Sequence, residues 1–406
     1  MKTKLLIASL FVVTAGAMIG YPATRGASVP AVAAKPIATA GASKPALIAA
    51  ASHPKVEVVF VLDTTSSMSG LIQGAKENIW SIASSMAQAK PTPEVHMGLV
   101  AFRDRGDDYV TKVVDLSTDL DSMYGKLMDF QAQGGGDGPE SVNQGLYDAV
   151  HRISWSQDAN SYKVIFLVGD APPHMDYPDD VKYPDTIKAA TARGIVINTI
   201  QAGVDPTTTQ EWKHIAMLNQ GEYFQVAQSG SALAVTSPFD EKIATLSREL
   251  DATRLFYGDA DKQREMAGKS AATDKLNAIA TTGSRVKRAM FNASAAGEKN
   301  LLGDSELVDA VADGRVDLAT IAPEALPAPL RQMSKDDQAK VVKEKAETRA
   351  RLNAEIQDLG KQRSEFIAAD LKTRAGSAES LDDKIYGAVK AQAEKKGLKY
   401  DGGAAH

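Results

Sequence analysis

Three oxygen-bearing side chains follow an apolar stretch of the sequence at alternate positions. Asp63, Thr65 and Ser67 come directly after the run VEVVFVL, in the spacing D-x-T-x-S. In a tight turn, alternate residues can direct their oxygens toward one point. One carboxylate and two hydroxyls are hard oxygen ligands, which suit Mg²⁺, Ca²⁺ or Mn²⁺ and not zinc. The alternative is that these residues cap the following helix, because Asp, Ser and Thr are preferred at helix N-termini.

Further acidic residues occur where they could join the same site. Asp170 ends a second apolar run, KVIFLVG, and the turn GGGDGPE carries Asp137 and Glu140. Asp137 is either a metal ligand or an ordinary turn residue between glycines. Glu140 follows a proline, and we predict that it is a first-turn acid that interacts with a helix dipole.

These residues require a sheet that brings the ends of their strands together. The two apolar runs lack polar alternation, which is typical of central parallel strands buried on both faces. Strand and helix patterns alternate from Lys55 to Ala234, and two strands joined by the polar segment RDRGDD fit a hairpin. We therefore predict an α/β fold, with a mostly parallel open sheet and helices on both faces. Ligands bind such Rossmann-like sheets at the carboxyl ends of the strands, where Asp63 and Asp170 stand.

The strand-D-x-[ST]-x-S-helix element, the glycine-rich turn and the second strand-terminal aspartate resemble the von Willebrand factor type A (VWA) domain family. The resemblance extends from about residue 55 to about residue 234. It implies a metal-ion-dependent adhesion site (MIDAS) in which Asp63, Thr65 and Ser67 bind a divalent cation. Mg²⁺ is the favoured ion, with Ca²⁺ or Mn²⁺ as alternatives. The resemblance also implies that Asp170 acts through water and that a partner carboxylate completes the coordination.

The second loop departs from the family pattern. The family's threonine is absent from QGGGDGPES, and Asp137 is the nearest oxygen ligand. A carboxylate in place of a neutral ligand would neutralise more of the ion's charge. We therefore expect weaker capture of an acidic partner than in adhesive receptors.

We predict a non-enzymatic function, which is the metal-dependent binding of a protein partner at the carboxyl end of the sheet. Arg103, Asp104 and His174 are candidate rim residues of that face. The alternative is a Mg²⁺-dependent hydrolase that uses Asp63 as a phosphate acceptor. Such sites usually place a second aspartate two residues on, where this chain has Thr65. No H-E-x-x-H motif is present.

Composition limits the other classes of function. The 406 residues carry a net charge of −5, which does not favour nonspecific nucleic-acid binding. No cysteine occurs, so disulfides, thiolate metal sites and cysteine nucleophiles are excluded.

The N-terminus predicts export. Lys2 and Lys4 precede the apolar run LLIASLFVVTAGAMIG, which is typical of a signal peptide over residues 1–20. An uncleaved membrane anchor is the alternative. Residues 21–54 are rich in Ala and Pro and predict a linker. We expect a periplasmic or secreted protein.

The last part of the chain predicts helices. Residues 235–322 form a helical region, and residues 323–406 contain a long charged helix over Ser334–Arg374 and a tail. Leu352, Ile356, Leu359 and Phe366 give an incomplete heptad, because Lys345, Arg349 and Arg363 occupy other seam positions. The helix either packs on its own chain or forms a weak coiled coil, and the oligomeric state stays open.

Overall fold

The computed structural model describes residues 54–136, 138–227, 236–373 and 381–401. The predicted signal peptide, nearly all of the predicted linker and Asp137 lie outside the described residues.

A six-stranded sheet is the centre of the described structure, in the order β3-β2-β1-β4-β5-β6. All neighbouring strands are parallel except β3, which forms the predicted antiparallel hairpin with β2. The strands are β1 (Lys55–Asp63), β2 (Glu94–Phe102), β3 (Thr111–Ser117), β4 (Tyr162–Gly169), β5 (Ile195–Ala202) and β6 (Tyr223–Val226). The mostly parallel α/β fold is therefore confirmed. The two apolar runs are neighbours, β1 and β4, which places their terminal aspartates side by side.

The described helices are α1 (Ser69–Ala87), α2 (Leu120–Asp129), α3 (Val142–His151), α4 (Tyr183–Ala192), α5 (Pro206–Leu218), α6 (Asp240–Asp251), α7 (Ala260–Ile279), α8 (Thr282–Asn292), α9 (Glu298–Leu302), α10 (Leu307–Ala312), α11 (Lys335–Thr373) and α12 (Leu381–Glu394). On one face of the sheet, Val58 and Phe60 of β1 pack with residues of α1, α2 and α12. On the other face, Val59 and Val61 pack with α3, α4 and α5. Both faces of β1 are thus buried, which explains its unbroken apolar sequence.

The C-terminal helices dock on the sheet domain through a buried ion-pair network. The Arg288 guanidinium of α8 is fully buried and bonds the carboxylates of Asp121 in α2 and Asp251 in α6. The charge of Arg288 holds the pKa of the Asp121 carboxyl well below its usual range, against the opposing effect of burial. Asn300 accepts bonds from the backbone N–H groups of Leu120 and Asp121, so it satisfies the N-terminus of α2 from the helical region. The described residues accordingly belong to one compact unit.

The long helix α11 packs on its own chain. Its residues Leu352 and Ile356 are fully buried against α6 and α8. Two of the three basic residues that interrupt the heptad form ion pairs with the same chain, Arg349 with Glu306 and Arg363 with Asp240, and Lys345 donates to the Ala252 carbonyl. These contacts bear out the docking alternative for the described residues, while the coiled coil stays a prediction. None of the described helices is long and apolar enough to cross a membrane.

Candidate metal site

Three loops meet at the carboxyl ends of β1 and β4. The first loop is residues 63–68, the second is residues 130–141 and the third is residues 170–182. The sequence pattern predicts a helix through Gln133, but α2 ends at Asp129 and the chain continues extended. The reason is tertiary: the N–H of Gln133 bonds the Thr64 carbonyl at 3.1 Å, and the N–H of Ser66 bonds the Gly134 carbonyl at 3.1 Å. The second loop therefore lies against the first.

Asp63 organises the first loop. Its Oδ1 accepts the backbone N–H of Thr65 at 2.9 Å and the Thr65 hydroxyl at 2.7 Å. Neither the short turn Ser66–Met68 nor α1 has a side-chain cap. The helix-cap interpretation of these residues is therefore wrong for this structure, because the carboxylate holds the loop and not the helix end.

Four side-chain oxygens from the first and third loops form a continuous series. Asp63 Oδ1 and Thr65 Oγ1 lie 2.7 Å apart, Thr65 Oγ1 and Ser67 Oγ lie 3.2 Å apart, and Ser67 Oγ donates to Asp170 Oδ1 at 3.0 Å. Neighbouring ligands of an octahedral Mg²⁺, each about 2.1 Å from the ion, are separated by about 3.0 Å. The distances between consecutive oxygens are therefore compatible with neighbouring ligands of a hard cation.

The second oxygen of Asp63 is buried and unsatisfied within the described part of the chain. Asp63 is fully buried, and its Oδ2 forms no hydrogen bond within the described residues. Burial raises the pKa of the Asp63 carboxyl from 3.8 to about 7, and the charge of Asp170 adds to this, against the lowering effect of the Thr65 bonds. A buried anion with an unsatisfied oxygen is costly unless a cation meets it. This donor set therefore fits a divalent metal.

Glu140 belongs to the same acidic centre, which differs from its predicted role as a first-turn helix acid. The residue is 3% exposed, precedes α3, and its Oε2 lacks a hydrogen bond within the described chain. Burial raises the pKa of the Glu140 carboxyl to about 9, and the charges of Asp63, Asp104, Asp107 and Asp170 contribute. The backbone of Glu140 also bonds the third loop, from its N–H to Pro172 and from its carbonyl to the N–H of His174.

Glycines allow the three loops to approach. A Cβ on Gly135, whose φ is +67°, would lie 2.8 Å from the Thr65 Cβ and 2.9 Å from Glu140 Oε1. A Cβ on Gly169 would lie 3.0 Å from the Asp63 Cβ. The two distances at Gly135 are shorter than real Cβ contacts, and the distance at Gly169 is tight enough that its neighbour would have to shift, so glycine at these positions lets the loops approach.

The predicted rim residues are buried beneath the loops instead of exposed around them. Arg103 donates to the carbonyls of Thr64 and Gln131 and so supports the first and second loops. Asp104 accepts from Ser141 Oγ at 2.8 Å and lies 3.4 Å from His174 Nε2. These three side chains therefore position the site, and Ser67 is the predicted ligand that is exposed.

The structure brings together four of the five predicted metal ligands, Asp63, Thr65, Ser67 and Asp170. The fifth, Asp137, lies outside the described residues. No group of three or more His, Asp or Glu side chains in the described part of the chain could by itself hold a metal. The ligand set is thus mixed, with hydroxyls beside carboxylates.

Comparison with known proteins agrees with this architecture. Residues 57–237 match the family model described as the von Willebrand factor A domain. No curated protein matches the chain. Among solved structures, proximal thread matrix protein 1 from the mussel byssus is 17% identical over 44% of this chain and 42% of that chain, with a TM-score of 0.34. A second structure of that protein, with a zinc-occupied MIDAS motif, is 18% identical over 44% of this chain and 43% of that chain, also at 0.34.

The VWA domain of SpRpn10 is 14% identical over 43% of this chain and 89% of that chain, with a TM-score of 0.34. The family match covers the sheet, the helices α1 to α5 and all three loops. Residues 57–237 of this chain are a von Willebrand factor A domain.

Proposed function

We propose that the domain binds a protein partner through a divalent cation held by Asp63, Thr65, Ser67 and Asp170. The observation that carries the proposal is the buried carboxyl group of Asp63. Its Oδ2 has no hydrogen bond in the described chain, and its Oδ1 begins the series of oxygens that continues through Thr65 and Ser67 to Asp170. When bound, the cation would supply an open coordination position for an acidic group of the partner. Mg²⁺ is the proposed ion, because the ligands are hard oxygens.

The exposure of the proposed ligands indicates the side from which a partner would approach. Asp63 and Thr65 are buried, Asp170 is half-buried and Ser67 is exposed. A cation held at this edge would be shielded on the Asp63 side and open on the Ser67 side. A partner side chain would therefore approach over Ser67 and Asp170.

The charges around the site make the cation necessary for an acidic partner. Five acidic side chains lie at or beside it, those of Asp63, Asp104, Asp107, Glu140 and Asp170. Without an ion, the ionised members of this cluster would repel a carboxylate. With an ion, the extra carboxylate of Glu140 would offset part of the cation's charge. We therefore propose binding that a chelator abolishes and that is weaker than in sites with fewer acids.

We also propose that the chain acts outside the cytoplasm, in the periplasm or as a secreted protein. The apolar run after Lys2 and Lys4 supports this location, since it has the length and composition of a signal peptide.

Calorimetry with Mg²⁺, Mn²⁺ and Ca²⁺ tests the site. Wild type should release or absorb heat on binding, and Asp63→Asn should not. Asp185→Asn, on the exposed surface of α4, is the matched control and should behave as wild type. A pull-down from envelope extract with and without chelator then tests the partner. Absence of metal binding by wild type would refute the whole proposal, whereas metal binding with only chelator-insensitive capture would refute the partner mode alone.

A further inference from the structure

A second polar pocket lies at the opposite end of the sheet from the metal site. It has a volume of about 690 Å³ and is lined by the segment before β4 and by the ends of α3 and α4. Lys163 is the second residue of β4, at the amino end of that strand, whereas the metal loops follow the carboxyl ends of β1 and β4. Nothing in the metal-binding proposal involves this pocket.

The pocket is lined by basic side chains and by no acidic ones. His151, Lys163, Arg193 and Lys396 contribute to it, and its described lining contains no Asp or Glu. This concentration is unexpected in a chain whose net charge is −5. The pocket therefore presents local positive charge on an acidic protein.

The ammonium of Lys163 is the informative group. The residue is 5% exposed, yet within the described residues its ammonium forms no hydrogen bond and no ion pair. Its neighbour in the strand pairing, Glu57, uses both carboxylate oxygens to accept the N–H of Ser156 at 3.1 Å. The Lys163 ammonium can therefore pair with an anion that enters the pocket, and the other basic side chains of the lining would add to the attraction.

Two other cations have backbone contacts but no carboxylate. Lys396 Nζ donates to the Ala159 carbonyl at 2.8 Å, and Arg193 Nη1 donates to the Val150 carbonyl near the end of α3. Stabilisation of a helix C-terminus could explain Arg193 alone. It cannot explain Lys163, which lies on a strand. The three share a place in the lining of one pocket, and none of them forms an ion pair with a carboxylate among the described residues.

We infer that this pocket binds a small molecule that carries a phosphate group. A phosphate dianion matches several converging cations, and a guanidinium offers paired donors to its oxygens. The volume lies within the range of about 300–1,000 Å³ that is usual for small-molecule sites. Trp155 and Ile153, both nearly buried, also line the pocket and provide an apolar wall for the rest of the molecule.

Calorimetry of the full chain with inorganic phosphate and phenyl phosphate tests the inference, in a low-salt buffer that contains a chelator. The chelator ensures that the metal site takes no part. Wild type should bind both probes, and phenyl phosphate should change the fluorescence of Trp155. Lys163→Met removes the charge while keeping the apolar stem, and it should weaken binding by about tenfold or more. Acetate should compete poorly.

The control is Lys188→Gln, an exposed lysine of α4 that is paired with Asp185 and should leave binding unchanged. If Lys163→Met does not fold, Arg193→Gln and Lys396→Gln each remove one of the other pocket cations, and they should also weaken phosphate binding. No phosphate binding by wild type overturns the inference. Equal binding by wild type and all pocket variants overturns it as well, as does equal weakening by the Lys188 control.

Discussion

Replacing Asp63 with Asn should stabilise the metal-free protein while it removes metal binding. The pKa of the buried carboxyl is about 7 in the folded chain, against an ordinary value of 3.8. Because the folded pKa is raised, this group favours folding most below the ordinary pKa, and that contribution is lost as the pH rises through about 7. Above that pH the ionised carboxylate destabilises the fold by about 4 kcal/mol, the equivalent of the difference between about 7 and 3.8.

The amide of the variant brings a smaller cost of its own. Its Oδ1 can still accept from Thr65, but its Nδ2 takes the position of the unpartnered Oδ2 and costs about 1–3 kcal/mol. The variant should therefore be more stable than wild type by about 1–3 kcal/mol near pH 8. Near pH 5 the wild-type carboxyl is protonated in the folded chain, and the advantage should be about 3 kcal/mol smaller. The change in this stability difference between the two pH values does not depend on the cost of the buried amide, because that cost is the same at both.

Urea denaturation in chelator at the two pH values measures these differences, with Asp185→Asn as the control. In Mg²⁺ at 1,000 times its Kd the order near pH 8 should reverse, since the ion then adds about 4.1 kcal/mol to wild type and nothing to the variant. A stability difference that is the same at both pH values would refute the account of an unpartnered buried carboxylate. So would a variant that Mg²⁺ stabilises as much as wild type.

Three more predictions follow from the contacts of the loops and of the helical region. Gly135→Ala should lower stability by about 1–3 kcal/mol and weaken Mg²⁺ binding in calorimetry, because φ is +67° and the new Cβ would lie 2.8 Å from the Thr65 Cβ. Gly136→Ala has open space and is its control, so equal effects of the two would contradict the steric argument. Arg288→Met should cost about 3–5 kcal/mol in urea denaturation, because Asp121 stays buried without its cation, and a loss below about 1 kcal/mol would contradict this. The rise in melting temperature caused by Mg²⁺ should grow from about pH 5.5 to about pH 8, because protons compete with the metal for the buried carboxylates, and a constant rise would exclude that competition.

The fold was predictable because its strongest sequence signals are local. Apolar runs that end in Asp63 and Asp170 are long enough for strands and too short for most buried helices. Their adjacency in the sheet follows from the parallel α/β pattern, and with it the meeting of the two aspartates. Thr65 and Ser67 then join the site through the short loop itself.

The burial of Glu140 could not be predicted from local sequence signals. A glutamate after a proline and before a helix has the local pattern of a first-turn acid, and nothing nearby in the sequence indicates burial. Its burial results from the second loop, which bonds the first loop through Gln133 and the third through Pro172. The docking of the helical region is equally nonlocal, since Arg288 and Asp121 are separated by 167 positions. The spacing of apolar residues and the amino-acid composition do not predict which distant residues form such an ion pair.

The distribution of paired and unpaired charges separates stabilising groups from binding groups. In the helical region the buried cations have carboxylate partners: Lys269 with Asp119, Arg288 with Asp121, Arg349 with Glu306 and Arg363 with Asp240. At the two ends of the sheet the pattern is different.

The metal end collects carboxyl groups whose buried oxygens, on Asp63 and Glu140, have no hydrogen bond within the described chain. The other end collects the cations around Lys163, and no Asp or Glu lines their pocket in the described chain. A chain that pairs its buried charges elsewhere could have done so here with single substitutions, for instance an apolar residue at position 163. Each buried oxygen without a partner lowers the stability of the ligand-free protein, and such costs persist where a ligand of opposite charge offsets them. We therefore propose that the two ends of one sheet take ligands of opposite sign, a cation among Asp63, Thr65, Ser67 and Asp170 and an anion beside Lys163.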